Sequence, residues 1–453
     1  MAIKLTEGPV SQRMYEMAMP MVWALLAMMS FNAADTFFVA QLGDAQLAAM
    51  SFTFPVEMLF TSVAIGAGAG VSSSLARLLG AGDVTAARRV FTDAMILVSI
   101  ISIVFALVGY QLIEPVFTLL GAEQDLMPYL REYMETWYWC VPALIVSQVF
   151  MTTLRAMGLA KLQGSIMTGL CVLNVILDPL LIFGLAGLPR MELQGAALAT
   201  VLVRVFGLFL VYYILCVKHK MIAALIAPWP QVRSSWGAVL HVGLPAMATN
   251  MIIPVASGIV VLLVSQYGNE AVAGLGVAAR IEPLALVCFY ALSSIMGPLF
   301  GQNYGARLES RLHEAQTAMT RFCLAWGLLV ACALFFAGRL IASAFSDSAE
   351  VQQVAATYLA IVPLSYGAYG IVMSVCAAFN GLGMPFPALM ISACRVLLLY
   401  LPMALLARHY WGINGLFIAT ALANLILGFV SHRWLKKRIS KEFDGLSPPA
   451  STR

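Results

Sequence analysis

The chain has 453 residues, of which 61% are hydrophobic and only 11% charged, and its mean hydropathy is +0.88. A surface so poor in charge faces lipid, which excludes a soluble globular protein and points to a polytopic membrane protein. The formal net charge of +4 is dispersed and forms no basic tract, so nucleic acid is not expected as a partner.

The N-terminus carries Lys4, Glu7 and Arg13 ahead of the first long apolar run, without a short hydrophobic core and small-residue cleavage site, so that first run is expected to remain as a span. Breaks at charged or Gly/Pro-rich clusters then predict twelve helices, each near or above the roughly 20 residues that cross a bilayer. The first six cover residues 15–41, 46–76, 87–113, 127–154, 161–186 and 194–217; the second six cover 236–266, 271–301, 311–338, 351–379, 386–407 and 412–436. Between them Lys218 to Arg233, with Pro228-Trp229-Pro230, is the longest polar or broken stretch. The expected division is an N-lobe at 1–217, a cytoplasmic linker at 218–233, a C-lobe at 234–438 and a cytoplasmic tail at 439–453.

Basic residues collect on one side of this scheme, among them Arg13, Arg77, Arg88, Arg89, Arg155, Lys161, Lys218, Lys220, Arg233, Arg307, Arg311, Arg433, Lys436, Lys437 and Arg438. The opposite loops hold mainly acids, such as Asp44, Glu114, Glu123, Asp125, Glu192, Glu270, Asp347 and Glu350. Both termini are therefore predicted to be cytoplasmic. The halves also repeat. A shift of 225 residues lays Pro20 on Pro245, Gln41 on Gln266, Gly43 on Gly268, Glu57 on Glu282, Gly80 on Gly305 and Gly158 on Gly383. One offset held across several spans is a repeat signature. Six spans per half is an even number, so the fold expected is all-α and integral to the membrane: twelve transmembrane helices in two parallel six-helix lobes, related by a pseudo-two-fold axis along the membrane normal.

Against that repeat, the unrepeated residues stand out. Asp35 lies in the apolar run from Met17 to Leu42, where a charged group costs several kcal/mol or changes protonation state, which makes it a functional candidate against the alternative of a structural carboxyl held by neighbouring helices. Its repeat position is Val260. Aligning Pro179 with Pro402 sets Asn174 opposite Leu397 and Asp178 opposite Leu401. Asn174 and Asp178 are four apart and share a helical face. Pro179 leaves the carbonyl of Val175 without its helical donor. Two carboxyls, an amide and a freed carbonyl suit a proton or a sodium ion, and side-chain types alone do not decide between the two. Pro20, about 15 residues before Asp35, is a candidate conformational hinge.

Glu57, Glu282 and Arg280 are candidates for supporting or substrate-path roles, and Arg204 and Arg395 are further cations within spans. Met21, Met28 and Met29 beside Phe31, Phe37 and Phe38 would give a soft wall for lipophilic ligands, or simply fill space. The Gly66-Ala67-Gly68-Ala69-Gly70 run has no Gly-Lys-Ser/Thr after it and reads as a close helix-packing surface. The eight cysteines fall in apolar segments without a CxxC pair, and the five histidines have no metal spacing, so no metal, cofactor or enzymatic activity is expected.

In combination these features resemble one family. Two six-helix lobes, Pro20 and Asp35 in span one, Gly43 with Gly268, Asn174-x-x-x-Asp178-Pro179 in span five and Gln194-Gly195-Ala196-Ala197 opening span six are similar to the multidrug and toxic compound extrusion (MATE) exporters, over nearly the whole chain. The N-lobe polar set resembles the DinF-like branch, and Arg280 corresponds to a span-eight arginine there. The NorM branch carries acids in spans seven and ten; this chain has Asn250 in span seven and Tyr366 and Tyr369 in span ten, but no acid in either. The resemblance implies a monomeric antiporter of the cell inner membrane. It would expel small lipophilic or cationic drugs as protons or sodium ions enter at Asp35, with span one bending at Pro20. Two alternatives are a lipid or lipid-linked saccharide flippase of similar architecture and, less favoured by the asymmetric acids, a channel.

Overall fold

The computed structural model describes residues 5–122 and 124–444, with the side chains of Asp44, Ala45, Leu47, Ala48 and Ala186 set aside; Glu123 and the end of the expected tail lie outside the described residues. All regular structure among the described residues is helical. In chain order the helices are α1 (Val10–Ala40), α2 (Asp44–Gly80), α3 (Val84–Gln111), α4 (Ile113–Leu119), α5 (Met127–Tyr138), α6 (Val141–Ala156), α7 (Ala160–Ile182) and α8 (Glu192–Tyr212). There follow α9 (Trp229–Val264), α10 (Asn269–Gly305), α11 (Glu309–Phe345), α12 (Ala349–Ile361), α13 (Tyr366–Gly381), α14 (Pro385–Ala393) and α15 (Leu401–Asp444).

Among the described residues, ten helical stretches are long and apolar enough to cross a membrane, and α5 with α6, bent by 47° at their junction, supplies an eleventh. The last stretch, Pro385–Asp444, contains Gly412 at φ 56°, ψ −136°, a conformation foreign to a helix, so it holds two spans and the total reaches twelve. Gly43 and Gly268, 225 residues apart, cap the starts of α2 and α10 at φ 143° and 101°, where a side chain would be strained.

Three boundaries differ from the sequence reading for identifiable reasons. α9 begins at Trp229, inside the stretch read as linker, because Pro230 stands in the first turn, where a missing N–H leaves no helical bond unmade. Span four is broken between Tyr138 and Val141, with Pro142 opening α6 by the same logic. Span ten is likewise interrupted, by a 3₁₀ turn at Val362–Ser365 that contains Pro363.

Contacts group the described residues into two units, 19–247 and, separately, 5–18 with 248–444. In the first unit Phe60 packs edge-on against Phe105, Trp137 and Tyr138 at 5.5–6.3 Å between ring centres. The Gly66–Gly70 run is a packing surface: a Cβ at Gly66, Gly68 or Gly70 would collide with Met247, Thr152 or Val239 respectively. The segment after α8 is tied to α3, since the Ala223 N–H donates to Thr92 Oγ1 at 2.9 Å and Trp236 Nε1 donates to the Asp93 carbonyl at 2.8 Å. In the second unit Arg311 donates to Asn303 Oδ1 and to the carbonyls of Gly8 and Leu5, fixing the segment before α1 against α10 and α11.

Candidate functional site

Asp35 on α1 and the Asn174–Asp178 pair on α7 belong to the same unit, and the structure brings them together. Asp178 is fully buried and Asn174 nearly so. With its amide nitrogen turned toward the carboxylate, Asn174 donates to both oxygens of Asp178 at 3.0 Å each. That contact follows from the i,i+4 spacing, which stacks the two side chains one helical turn apart. Pro179 lies within α7 immediately after Asp178 and cannot donate back to Val175. Asp35 is close enough to Asp178 for each to feel the other's charge. Its Oδ1 is buried and has no hydrogen-bond partner, an expensive condition for a carboxylate oxygen.

A third acid adjoins them. Glu57 on α2 interacts electrostatically with Asp35 and is held by two hydroxyls: Tyr133 on α5 donates to its Oε1 at 3.0 Å and Thr53 at 3.1 Å. Arg204 on α8 is within electrostatic range of Glu57. Three carboxyls from α1, α2 and α7 therefore share one neighbourhood, with Arg204 in range of Glu57, and the arrangement is suited to take up positive charge. Among the described residues no group of three or more His, Cys, Asp or Glu side chains has metal-holding geometry, so a sodium ion here would draw on the oxygens of Asp35, Asn174 and Asp178 rather than on a rigid cage.

Pro20 lies inside α1, which continues helically through it. Its backbone and ring press on Gly164 of α7, where an added Cβ would come within 2.6 Å of the Pro20 carbonyl oxygen. The hinge candidate and the Asn174–Asp178 pair thus meet through one helix. Of the proposed soft wall, Met21 is buried, whereas Phe37 is exposed and stacks edge-on with Phe38 at 5.8 Å.

In the other unit Glu282 on α10 accepts from Tyr358 on α12 at 3.0 Å. Tyr133 and Tyr358 stand 225 residues apart, the same offset as Glu57 and Glu282, so the two glutamate–tyrosine bonds are one feature built twice. Sequence reasoning passed over both tyrosines, although the repeat offset could have found them. Arg280 is exposed. Arg395 feels Glu282 electrostatically, lies over the Tyr369 ring at 4.7 Å and donates to Asn424 at 3.4 Å. Also unforeseen was the pair of Arg89 with Asp93 on α3, in which Asp93 is fully buried.

Comparison with known proteins agrees with this layout. The MatE family profile matches residues 20–180 and 245–406, two segments whose starts are separated by the repeat offset. The FAD transporter of Shewanella oneidensis is 36% identical over 435 residues, covering 96% of both chains, and the multidrug export protein MepA of Staphylococcus haemolyticus is 21% identical over 94% of this chain and 93% of its own. Among solved structures, the MATE transporter VcmN of Vibrio cholerae in its bent form superposes with a TM-score of 0.91 at 30% identity, covering 95% of this chain and 97% of that one. With the family profile spanning well over half of the sequence and both repeats, the chain belongs to the MatE family of membrane transporters.

Proposed function

We propose that the chain is a secondary active exporter of the DinF-like kind, driven by inward protons or sodium ions that load at Asp35. The observation that carries this reading is the buried, unpartnered Oδ1 of Asp35, in electrostatic range of an Asp178 already engaged by Asn174. An incoming cation would satisfy that oxygen and relieve the mutual repulsion of Asp35 with Asp178 and Glu57. α1, freed from its former balance of forces, then bends near Pro20, where a proline has already removed one backbone bond. The change in α1 releases cargo outward. Each charge moving inward supplies about 2.3 kcal/mol per 100 mV, enough to shift a two-state carrier about fiftyfold.

On the family resemblance the cargo is a small amphipathic or cationic molecule. A second reading is favoured by one comparison: the full-length relative at 36% identity is a FAD transporter, while the multidrug protein MepA stands at 21%. The protein is read as a monomer in the cell inner membrane, with both termini in the cytoplasm.

The test is cargo efflux from proteoliposomes under separately imposed proton and sodium gradients, wild type beside Asp35→Asn. Export should run on one gradient and fall at least a hundredfold in the variant, whose elution on gel filtration is unchanged. Wild-type rates in Asp35→Asn would remove Asp35 from the coupling step.

A further inference from the structure

The repeat that isolates the acids of the first half isolates a second set in the other. At the 225-residue offset Tyr290, Tyr366 and Tyr369 stand opposite Ile65, Val141 and Leu144, and in the Pro179–Pro402 alignment Arg395 stands opposite Val172. Where one half added carboxylates, the other added aromatic rings and a guanidinium.

The backbone around these residues is irregular. Arg395 sits in a π-helical segment, Cys394–Tyr400, and Tyr366 and Tyr369 follow directly on the 3₁₀ turn Val362–Ser365 that breaks span ten. Local π segments and interrupted spans cost regular helical bonding and in transporters accompany ligand sites. The two irregular segments meet: Arg395 lies 4.7 Å over the Tyr369 ring and donates to Asn424 Oδ1, while Asn424 in turn donates to Ser365 at 3.1 Å. Tyr290, Tyr366, Tyr369 and Glu282 are all within electrostatic range of one another. Tyr366 is fully buried and its hydroxyl has no hydrogen-bond partner, a cost a buried phenol bears only rarely. Tyr290, Tyr369 and Arg395 are only partly buried.

The Arg395 guanidinium carries five N–H donors in a planar fork and is within electrostatic range of Glu282. A guanidinium stacked on one ring presents its edge to a phosphate and leaves neighbouring tyrosines to stack on a planar heterocycle. We propose that Arg395, Tyr369, Tyr290 and Tyr366 form a cargo subsite for a planar aromatic molecule bearing a phosphate ester, of which a flavin dinucleotide is the example. This rests on the second cargo reading above and gives it a location in the second half, separate from the ion site.

The experiment is equilibrium binding to the purified full-length protein in detergent, read as the change in each probe's own fluorescence, with FAD, riboflavin and the cationic dye ethidium as probes. No ion gradient is involved, so failure of Asp35 coupling would leave the result untouched. Wild type should bind FAD about tenfold more tightly than riboflavin, the scale of one charge-assisted hydrogen-bond pair to phosphate. Arg395→Gln should erase that preference while changing riboflavin affinity less than threefold. Tyr366→Phe, which removes only the orphaned hydroxyl, should weaken both flavins severalfold. Should Arg395→Gln aggregate, Arg395→Lys decides, since it keeps the charge, loses the fork and should lose most of the preference. Equal binding of FAD and riboflavin by wild type, an intact preference in the Arg395 variants, or binding of ethidium without either flavin would overturn the subsite.

Discussion

Asp93 has no exposed surface, and its carboxylate is paired one turn away with Arg89, which also donates to the Ala224 carbonyl at 2.5 Å. Removing one partner of a buried pair strands the other, at a cost of about 3–5 kcal/mol. Arg89→Ala is therefore expected to lower the unfolding temperature in detergent by several degrees, with Arg89→Lys intermediate. An unchanged melting curve would mean that Asp93 is served by something other than Arg89. Position explains why this pair escaped a reading of the sequence. Arg88 and Arg89 sit where basic residues gather outside the bilayer, and one of a series of similar arginines carries no mark that it turns inward. Asp35, Asn174 and Asp178 were legible because each interrupts an apolar run, and that Asn174 meets Asp178 was legible from their spacing. That Tyr133 holds Glu57 was not, since a tyrosine in a span is common and its partner lies 76 positions away.

Among the helices, α1 and α7 are set at close range by a single missing side chain. Gly164 accepts the backbone of Pro20 where no larger residue fits. Gly164→Ala should push α1 off α7 or compress the contact, and overpacking of this kind costs about 1–3 kcal/mol. The expected result is a drop in unfolding temperature together with reduced transport, because the contact joins the hinge candidate to the helix that carries Asp178. A Gly164→Ala protein as stable and as active as wild type would show that the contact is slack. The spanning helices were readable from apolar length, whereas the short α4, Ile113–Leu119, was not. Helix ends were less so, because proline has two meanings: at Pro230, Pro142 and Pro363 it opens a helix or a turn, whereas at Pro20 and Pro179 it lies within one. Sequence alone does not say which backbone N–H would have gone unused.

At the scale of the whole molecule, the twelve spans and the repeat were visible in the order of residues, since each rests on a long average rather than on any single contact. Orientation rests on the same kind of average. With Lys and Arg concentrated on the side of Lys218, Arg233 and Lys436, a green fluorescent protein fused after the last residue should fold and fluoresce, as it does in the cytoplasm, and a periplasm-dependent phosphatase at the same place should stay inactive. The opposite pair of results would invert the topology and, with it, the direction assigned to transport.

The twice-built bond between Glu57 and Tyr133 and between Glu282 and Tyr358 also carries a date. A feature present at matching places in both halves was present in the single half that was copied; one present in only one half was acquired, or lost, afterwards. The ancestral unit accordingly had a half-buried glutamate tethered by a tyrosine before it had a partner. Asp35, Asn174 and Asp178 in one half, and the rings around Arg395 in the other, mark differences that arose after duplication, when two identical halves became free to diverge in charge.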